Sequence, residues 1–504
     1  MIVSEIARLF YNRAGFKITG YNKNTVFYTF NNKSFVFLPD FSLILNDDYS
    51  SNNNNNNNIN NNINNNSSNN NNSDNNIDNY DRCPDFTMHP NASLYSNQAS
   101  IDTFFKNYQP RVSAINLNLT NRCNLNCIYC YAQGGDYARI SDDMDFKTFQ
   151  TFINSLKGRF DNFMPFRFEF FGGEPLLNES VIKKIISWQE QRDKNIFPER
   201  IINRISTNLT FLSQSMLETL KKGKFIISIS IDGSKETHNL QRPFKDSRPS
   251  YSSIIQNLKR LKEYAPELVC VARITAYKKK NTLLKELKEL IDLNLFDYCS
   301  IYNAAVSKTK LDHNNDFEKN YLEMALDYAD LFMPGNIFKG CLELNRYLEH
   351  LINGSCAPAH CRAGMGYYTF SPDRTIFPCH RLVGSPEHKV PEDNIKNIDN
   401  IDYQWRRTAA KKDICKDCPA RFFCAGGCRQ ENLINTKSLS GVCVPVCRFS
   451  NTLLFSALIA YQGLTDTVKE RISQNSSMDL FTFCGQPVLK NRRDRVMADN
   501  LLFI

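Results

Sequence analysis

Hydrophobic positions along the middle of the chain alternate between two patterns. From Ala114 to about Phe332, short apolar runs give way to polar loops, and these to longer runs in which apolar residues recur every three to four positions. The short runs predict strands, and the 3.6-residue spacing predicts amphipathic helices that pack on them. Strands are predicted at Ile115–Leu119, Phe166–Phe171, Ile201–Ser206, Phe225–Ile231, Val269–Thr275 and Cys299–Tyr302. The helices between them include Phe146–Leu156, Val181–Arg192, Met216–Lys222, Ser253–Tyr264 and Leu283–Leu293. Six such units predict an α/β fold whose parallel sheet curls into a partial (β/α)6 barrel. Functional groups in such folds lie in loops after the strands' C-terminal ends.

The flanks read differently. Residues 1–48 predict a small α+β module, with helical spacing over Ile2–Phe16 and strands at Lys17–Tyr21, Thr25–Asn31 and Ser34–Leu38. It has no polar catalytic set, and suits either docking of a peptide or packing as a plain extension. Residues 49–79 are nearly all Asn and cannot bury enough apolar surface to order, which predicts a disordered linker. A lead-in over 80–112 precedes the barrel at 113–335, and a cysteine-rich domain spans 336–450. A helix beginning near Asn451 and a basic tail complete the sequence.

Composition narrows the chemistry. The chain has 504 residues, 17 of them Cys, and a formal net charge of +9 that is mostly dispersed. No apolar run near the N-terminus resembles a signal peptide, and no stretch reaches the length expected of a membrane span. The expectation is a cytoplasmic protein with neither membrane nor nucleic-acid partner, whose thiols serve metals or catalysis rather than disulfides.

Three of those thiols, Cys123, Cys127 and Cys130, follow the first predicted strand with C-x3-C-x2-C spacing. A cubane iron–sulfur cluster held by three thiolates keeps one iron open to a ligand. A zinc half-site or buried structural thiols are the alternatives. The second strand ends in Phe171-Gly172-Gly173-Glu174-Pro175, where two glycines permit close backbone approach to a ligand. The third ends in Ser206-Thr207-Asn208, and the fourth in Ser230-Ile231-Asp232-Gly233, with Arg242 following. Asp232 reads as a turn residue. Arg273, on the fifth strand, faces the interior and needs a partner there. Cys270, Cys299 and Cys341 lie among apolar residues and read as core. Nine more thiols fall between Cys356 and Cys447, including the run Cys415-x2-Cys418-x5-Cys424-x3-Cys428. A pair of four-cysteine zinc sites would also use such knuckles.

The cysteine triplet, with Tyr129 before its third member, resembles the signature of the radical S-adenosylmethionine (SAM) superfamily. The later run resembles the SPASM extension of those enzymes. The resemblance implies that Cys123, Cys127 and Cys130 hold a [4Fe–4S] cluster whose open iron chelates SAM, and that one electron then releases a 5′-deoxyadenosyl radical. It implies SAM contacts at Tyr129, Gly172, Gly173, Glu174, Ser206, Asn208, Ser230 and Arg242. Leu209 stands where that family usually has Gly, and Arg374 departs in the same way. Two auxiliary [4Fe–4S] clusters are implied, three clusters in all. One would take Cys356, Cys361, Cys379 and Cys428; the other would take Cys415, Cys418, Cys424 and Cys447, with Cys443 competing for the last place. Relatives of this kind modify ribosomally made peptides by thioether or carbon–carbon crosslinks. They draw electrons from a one-electron reductant such as flavodoxin or ferredoxin. A smaller branch matures sulfatases and carries an Asp where this chain has His380, an imidazole whose ordinary pKa suits proton removal. The expectation is therefore a precursor-peptide maturase. The alternatives are a sulfatase maturase and, from another class, a non-catalytic iron–sulfur electron carrier.

Overall fold

The computed structural model describes four strands between residues 17 and 46. From 111 to 474 it describes all but 136–141, 162–164, 278–281, 305–314, 354–356, 358, 396, 408–414, 416–417 and 419. The expected first helix, the Asn-rich linker, Cys83, Cys356, Cys484 and the basic tail lie outside the described residues. The chain divides into two compact units, residues 1–94 with 417–419 and the remainder.

In the first unit, β1 (Lys17–Asn22), β2 (Thr25–Phe30), β3 (Lys33–Phe37) and β4 (Leu43–Asn46) form an antiparallel meander in sequence order. The fourth strand adds to the three expected.

The second unit is built on one mixed sheet of nine strands. Six parallel strands are those expected, with ends shifted by a residue or so: β5 (Ala114–Asn118), β6 (Phe166–Phe171), β7 (Ile201–Thr207), β8 (Ile226–Ser230), β9 (Cys270–Ala276) and β10 (Tyr298–Asn303). They neighbour one another in sequence order. The intervening helices are α1 (Phe146–Ser155), α2 (Glu179–Gln191), α3 (Gln214–Lys222), α4 (Lys235–Gln241), α5 (Tyr251–Tyr264) and α6 (Leu283–Asp292). Asp145, Ser213 and Thr282 start α1, α3 and α6 by accepting backbone N–H bonds through their side chains.

Alternation within β6, Phe-Arg-Phe-Glu-Phe-Phe, sorts its side chains onto two faces. Phe168 and Phe170 join the helix layer, where Phe168 meets Phe149 and Trp188 with ring centroids 6.2 and 6.3 Å apart. Burial of each such ring stabilises the fold by about 1.5–3 kcal/mol. Arg167, Glu169 and Phe171 occupy the opposite face.

The sheet does not end at β5. Strand β11 (Tyr367–Phe370), from the cysteine-rich region, pairs in parallel with β5, and β12 (Thr375–Phe377) and β13 (Val390–Pro391) continue it antiparallel. Phe370 stacks on Phe152 of α1 with centroids 4.5 Å apart. Helices α7 (Asn315–Leu326) and α8 (Leu342–Asn353) follow the sixth parallel strand. The cysteine-rich region contains α9 (Asn397–Arg407), α10 (Arg421–Cys424) and α11 (Arg429–Thr436).

The last long helix, α12 (Val444–Gly463), begins earlier than expected and is followed by α13 (Asp466–Gln474). It also corrects the expectation that no stretch reaches membrane-spanning length, because Val444–Tyr461 does so by length and composition. Leu453, Leu454, Ala457 and Ala460 on it are nearly fully buried, and its Phe449 packs against Phe317 and Tyr321 of α7. Its apolar character serves the protein interior.

Candidate functional site

The cysteine loop leaves the C-terminal end of β5 and is gripped by backbone from two sides. On one side, Gly173 and Glu174 donate their N–H groups to the carbonyls of Thr120 and Arg122, both at 2.8 Å. On the other, Asn126 and Ile128 donate to the carbonyls of Pro243 and Gln241 at 2.8 and 3.0 Å. Thr120 and Arg122 are further tied to Asp143 before α1.

This grip explains the paired glycines. A Cβ on Gly172 would lie 2.4 Å from the Thr120 carbonyl, and one on Gly173 would lie 2.4 Å from that of Arg122. Close approach to a ligand was expected there; the close approach found is to the cysteine loop itself. Glu174 is buried and turns to the next strand, accepting from Thr207 Oγ1 and the Asn208 N–H at 2.6 Å each and from the Leu176 N–H at 3.1 Å. Burial pushes its pKa up to about 7 against those hydrogen bonds.

Two donors face the thiols. Asn208 Nδ2 lies 3.9 Å from Cys123 Sγ while bonding Asn124 Oδ1 at 2.8 Å. Arg242 Nη1 lies 3.9 Å from Cys127 Sγ. Asp232 fixes that guanidinium, accepting from Arg242 Nε at 2.9 Å and Nη2 at 3.1 Å, and also from the Thr275 N–H and the Tyr129 hydroxyl. The guanidinium lies over the Tyr129 ring, 5.1 Å from its centroid. Asp232 is thus more than the turn residue expected. Burial pushes its pKa up, but Arg242 overrides this and holds it below the ordinary carboxylate range. Sequence reasoning missed Asp232 and Thr275 as supports of Arg242. The available signal was a carboxylate at a strand end, ten residues before an arginine.

Burial, with Glu174 nearby, raises the Cys123 thiol to about 12; burial raises Cys127 to about 11 despite Arg242. The three thiols repel one another electrostatically when ionised, which places them together. Among the described residues, no three His, Cys, Asp or Glu side chains converge tightly enough for a single metal ion. A cubane spreads its thiolates over separate corners, whereas one zinc draws its sulfurs to about 2.3 Å. Three half-buried thiols on one loop, two of them faced by N–H donors, fit an iron–sulfur cluster.

Ser206 and Ser230 lie half-buried on the face opposite the helices, Ser230 in register with Arg273. Arg273 stacks over Tyr302, its guanidinium carbon 5.0 Å from the ring centroid.

In the cysteine-rich region, Cys379 feels the charges of Cys428 and Cys361, so these three are neighbours. Arg381 places Nη1 3.8 Å from Cys428 Sγ and bonds Glu431 at 2.6 Å through Nη2. Cys424 is buried, and Cys415, Cys418 and Cys447 are half-buried. Cys443 is buried and caps α12, with Cys447 one turn inside it. Cys270, Cys299 and Cys341 are buried in the core.

His380 departs from expectation. Its Nδ1 lies 3.2 Å from the Tyr367 hydroxyl, and its ring centroid is 5.1 Å from that of Phe171, beside Gly172. Burial, with Arg381 and Arg273 near, lowers its pKa to about 3, so it lacks the ordinary basicity expected.

Residues 117–293 match the family model described as the radical SAM superfamily. These residues form a radical SAM domain. An uncharacterized protein of Methanocaldococcus jannaschii is 38% identical over 148 residues, 29% of this chain; the match spans about half (48%) of that relative's length. The cysteine-type anaerobic sulfatase-maturating enzyme of Clostridium perfringens (strain 13) is 24% identical over 352 residues, 64% of this chain and 90% of the relative. Among solved structures, anSMEcpe with bound AdoMet superposes with a TM-score of 0.60 at 20% identity, over 73% of this chain and 99% of that one. Streptococcus suis SuiB bound to precursor peptide SuiA gives 0.50 at 18% identity, over 86% and 99%. At these identities the structures attest the fold alone. The family implies SAM and a [4Fe–4S] cluster.

Proposed function

We propose that this enzyme is a peptide maturase in which a partial barrel and a SPASM-type domain act together. The observation that carries the reading is the doubly gripped cysteine loop, with Asn208 and Arg242 aimed at its thiols. Cys123, Cys127 and Cys130 would hold the SAM-binding cluster. When bound, cluster and SAM supply one-electron cleavage of SAM to an alkyl radical that takes hydrogen from substrate. Asp232 holds the Arg242 fork for the SAM carboxylate beside Ser230, while the Gly172–Gly173 segment takes the amino group. Cys361, Cys379 and Cys428, with Cys356, would hold one auxiliary cluster; Cys415, Cys418, Cys424 and Cys447 would hold the other. Arg381 donates toward the first of these. The unit containing β1–β4 would grip the peptide, and flavodoxin or ferredoxin would supply electrons.

Crosslinking is favoured over formylglycine formation because position 380 holds an imidazole packed on Phe171 and bonded to Tyr367, not a carboxylate. Sulfatase maturation stands as the second reading, supported by the C. perfringens relative. Anaerobic co-expression with a short peptide encoded beside the gene, followed by mass spectrometry, separates the two. Loss of two hydrogens per bond supports crosslinking. An unchanged peptide, with aldehyde formation on a sulfatase-derived peptide, sinks it. Substituting Cys127 with Ala is expected to abolish 5′-deoxyadenosine formation; an unchanged rate would end the cluster assignment.

A further inference from the structure

The cysteine loop and the segment after α4 run side by side as a short antiparallel ribbon. Leu125 bridges Phe244, and Lys245 donates its N–H to the Asn124 carbonyl at 3.2 Å. Ile128, between the second and third cysteines, is 47% exposed. Leu240, whose neighbour Gln241 accepts the Ile128 N–H, is 49% exposed. Phe211, 51% exposed, follows Thr210, whose hydroxyl accepts from Asn124 Nδ2 at 2.7 Å. Tyr131, directly after Cys130, is exposed too. Four of the ten large hydrophobic side chains exposed among the described residues thus lie on or beside one short loop. Single exposed apolar residues are ordinary, but such a gathering marks an interaction surface. Basic residues border it. Lys245 is exposed, Arg248 lies over the Phe244 ring, and Arg260 donates to the Leu212 carbonyl at 3.1 Å, beside Phe211. From Lys235 to Arg260, leaving aside the buried Arg242, five basic residues stand against two acidic ones. One of those two, Asp246, is already held by Arg248 at 2.8 Å.

We propose that this surface docks an acidic one-electron carrier protein, which gives up its electron at the cysteine loop. An apolar centre with a charged border is the anatomy of a protein–protein interface. The border selects the partner's charge: a second copy of this chain, also at +9, is repelled, whereas an acidic protein is drawn in. Position selects the partner's chemistry. Ile128 and Tyr131 stand on either side of Cys130 in the loop, so a protein seated on them covers the thiols that receive the electron. In the transfer the carrier loses one electron and SAM gains it. The bond from sulfur to the 5′ carbon breaks, giving methionine and the 5′-deoxyadenosyl radical. The surface rests on the radical reading for its purpose, and the two are tested apart.

The test uses full-length enzyme reconstituted anaerobically. SAM cleavage is driven either by dithionite or by flavodoxin that its reductase keeps reduced. Leu240→Glu and Lys245→Glu are each expected to lower kcat/KM for flavodoxin roughly tenfold, with the dithionite-driven rate unchanged. In the wild type the flavodoxin-driven rate should also fall several-fold as salt rises and screens the basic border. Ile434→Glu, at an exposed apolar position on α11, is the comparison and should alter neither rate. Equal flavodoxin-driven rates in the wild type and both surface variants overturn the proposal, as does a loss confined to Ile434→Glu. Equal loss of both rates also overturns it, because the surface would then support the loop rather than a carrier. Heat of binding of oxidised flavodoxin to the same proteins is the second readout and needs no turnover. Affinity should drop roughly tenfold in each surface variant. Unchanged affinity, or no binding to the wild type at low salt, overturns the proposal even where a variant has lost SAM cleavage. Absence of dithionite-driven cleavage in the wild type would sink the radical reading, and the binding comparison would still decide the surface.

Discussion

Arg374 and Leu209 sit in left-handed backbone, with φ of +61° and +53°. Each stands where the family usually has glycine, so the turn geometry persists although the residue that relieves it does not. A side chain in that region costs roughly 1–2 kcal/mol. Leu209 is fully buried and offsets its strain by packing, whereas Arg374 is exposed. Arg374→Gly should therefore stabilise the protein by about 1 kcal/mol, read as a higher denaturant midpoint at unchanged slope. Asp232→Ala strips the buried Arg242 of its carboxylate. It is expected to cost about 3 kcal/mol in the same measurement and to weaken SAM binding. Glu169 gives a pH signature. Burial, against the pull of Arg204, Arg167 and Arg273, raises it from 4.5 to about 7. Between those values the folded state keeps a proton that the unfolded state has released. Its contribution is full below about pH 4.5 and is lost as pH rises to about 7, roughly 3 kcal/mol in all. Urea titrations across that window should show this decline in the wild type and a flatter profile in Glu169→Gln.

At the scale of elements, what the sequence made legible was whatever repeats or alternates. Phe-Arg-Phe-Glu-Phe-Phe announced both the strand and its two faces, and C-x3-C-x2-C announced the loop. Helix α11 and the strands β11 to β13 escaped because they are brief and lie among cysteines, where period carries little weight; α9 escaped because its sequence, Asn-Ile-Asp-Asn-Ile-Asp-Tyr-Gln-Trp-Arg-Arg, is mostly polar. The partners of Arg242 escaped for another reason: Asp232 and Thr275 meet it only after the ends of β8, β9 and α4 converge, and nothing local records that. The glycines were noticed as a place for a ligand's approach, and the sequence did not show that the chain's own cysteine loop also packs against them. Gly173→Ala should push the Arg122 carbonyl away. Iron content after reconstitution should then drop well below the wild-type value, with SAM cleavage falling alongside it.

For the whole molecule, the most consequential pairing joins β11 to β5. The strand that launches the cysteine loop is buried on one edge by β6 and on the other by a segment of the cysteine-rich region. The two regions are therefore not separable at their sequence boundary. A chain ending at residue 353 would leave β5 with an open, apolar edge, and such edges aggregate. Size-exclusion chromatography of that truncation should show aggregate rather than monomer; a stable monomer would mean that β11 adds little.

The same pairing sets a clock. Ser113, just before β5, bonds the carbonyl of Gly366, 253 residues later. At ordinary synthesis rates the ribosome needs roughly 13 to 50 s to make that span. For that interval every nascent copy waits with its central strand half-covered, and chaperone supply during translation, more than final stability, should govern how much enzyme a cell obtains.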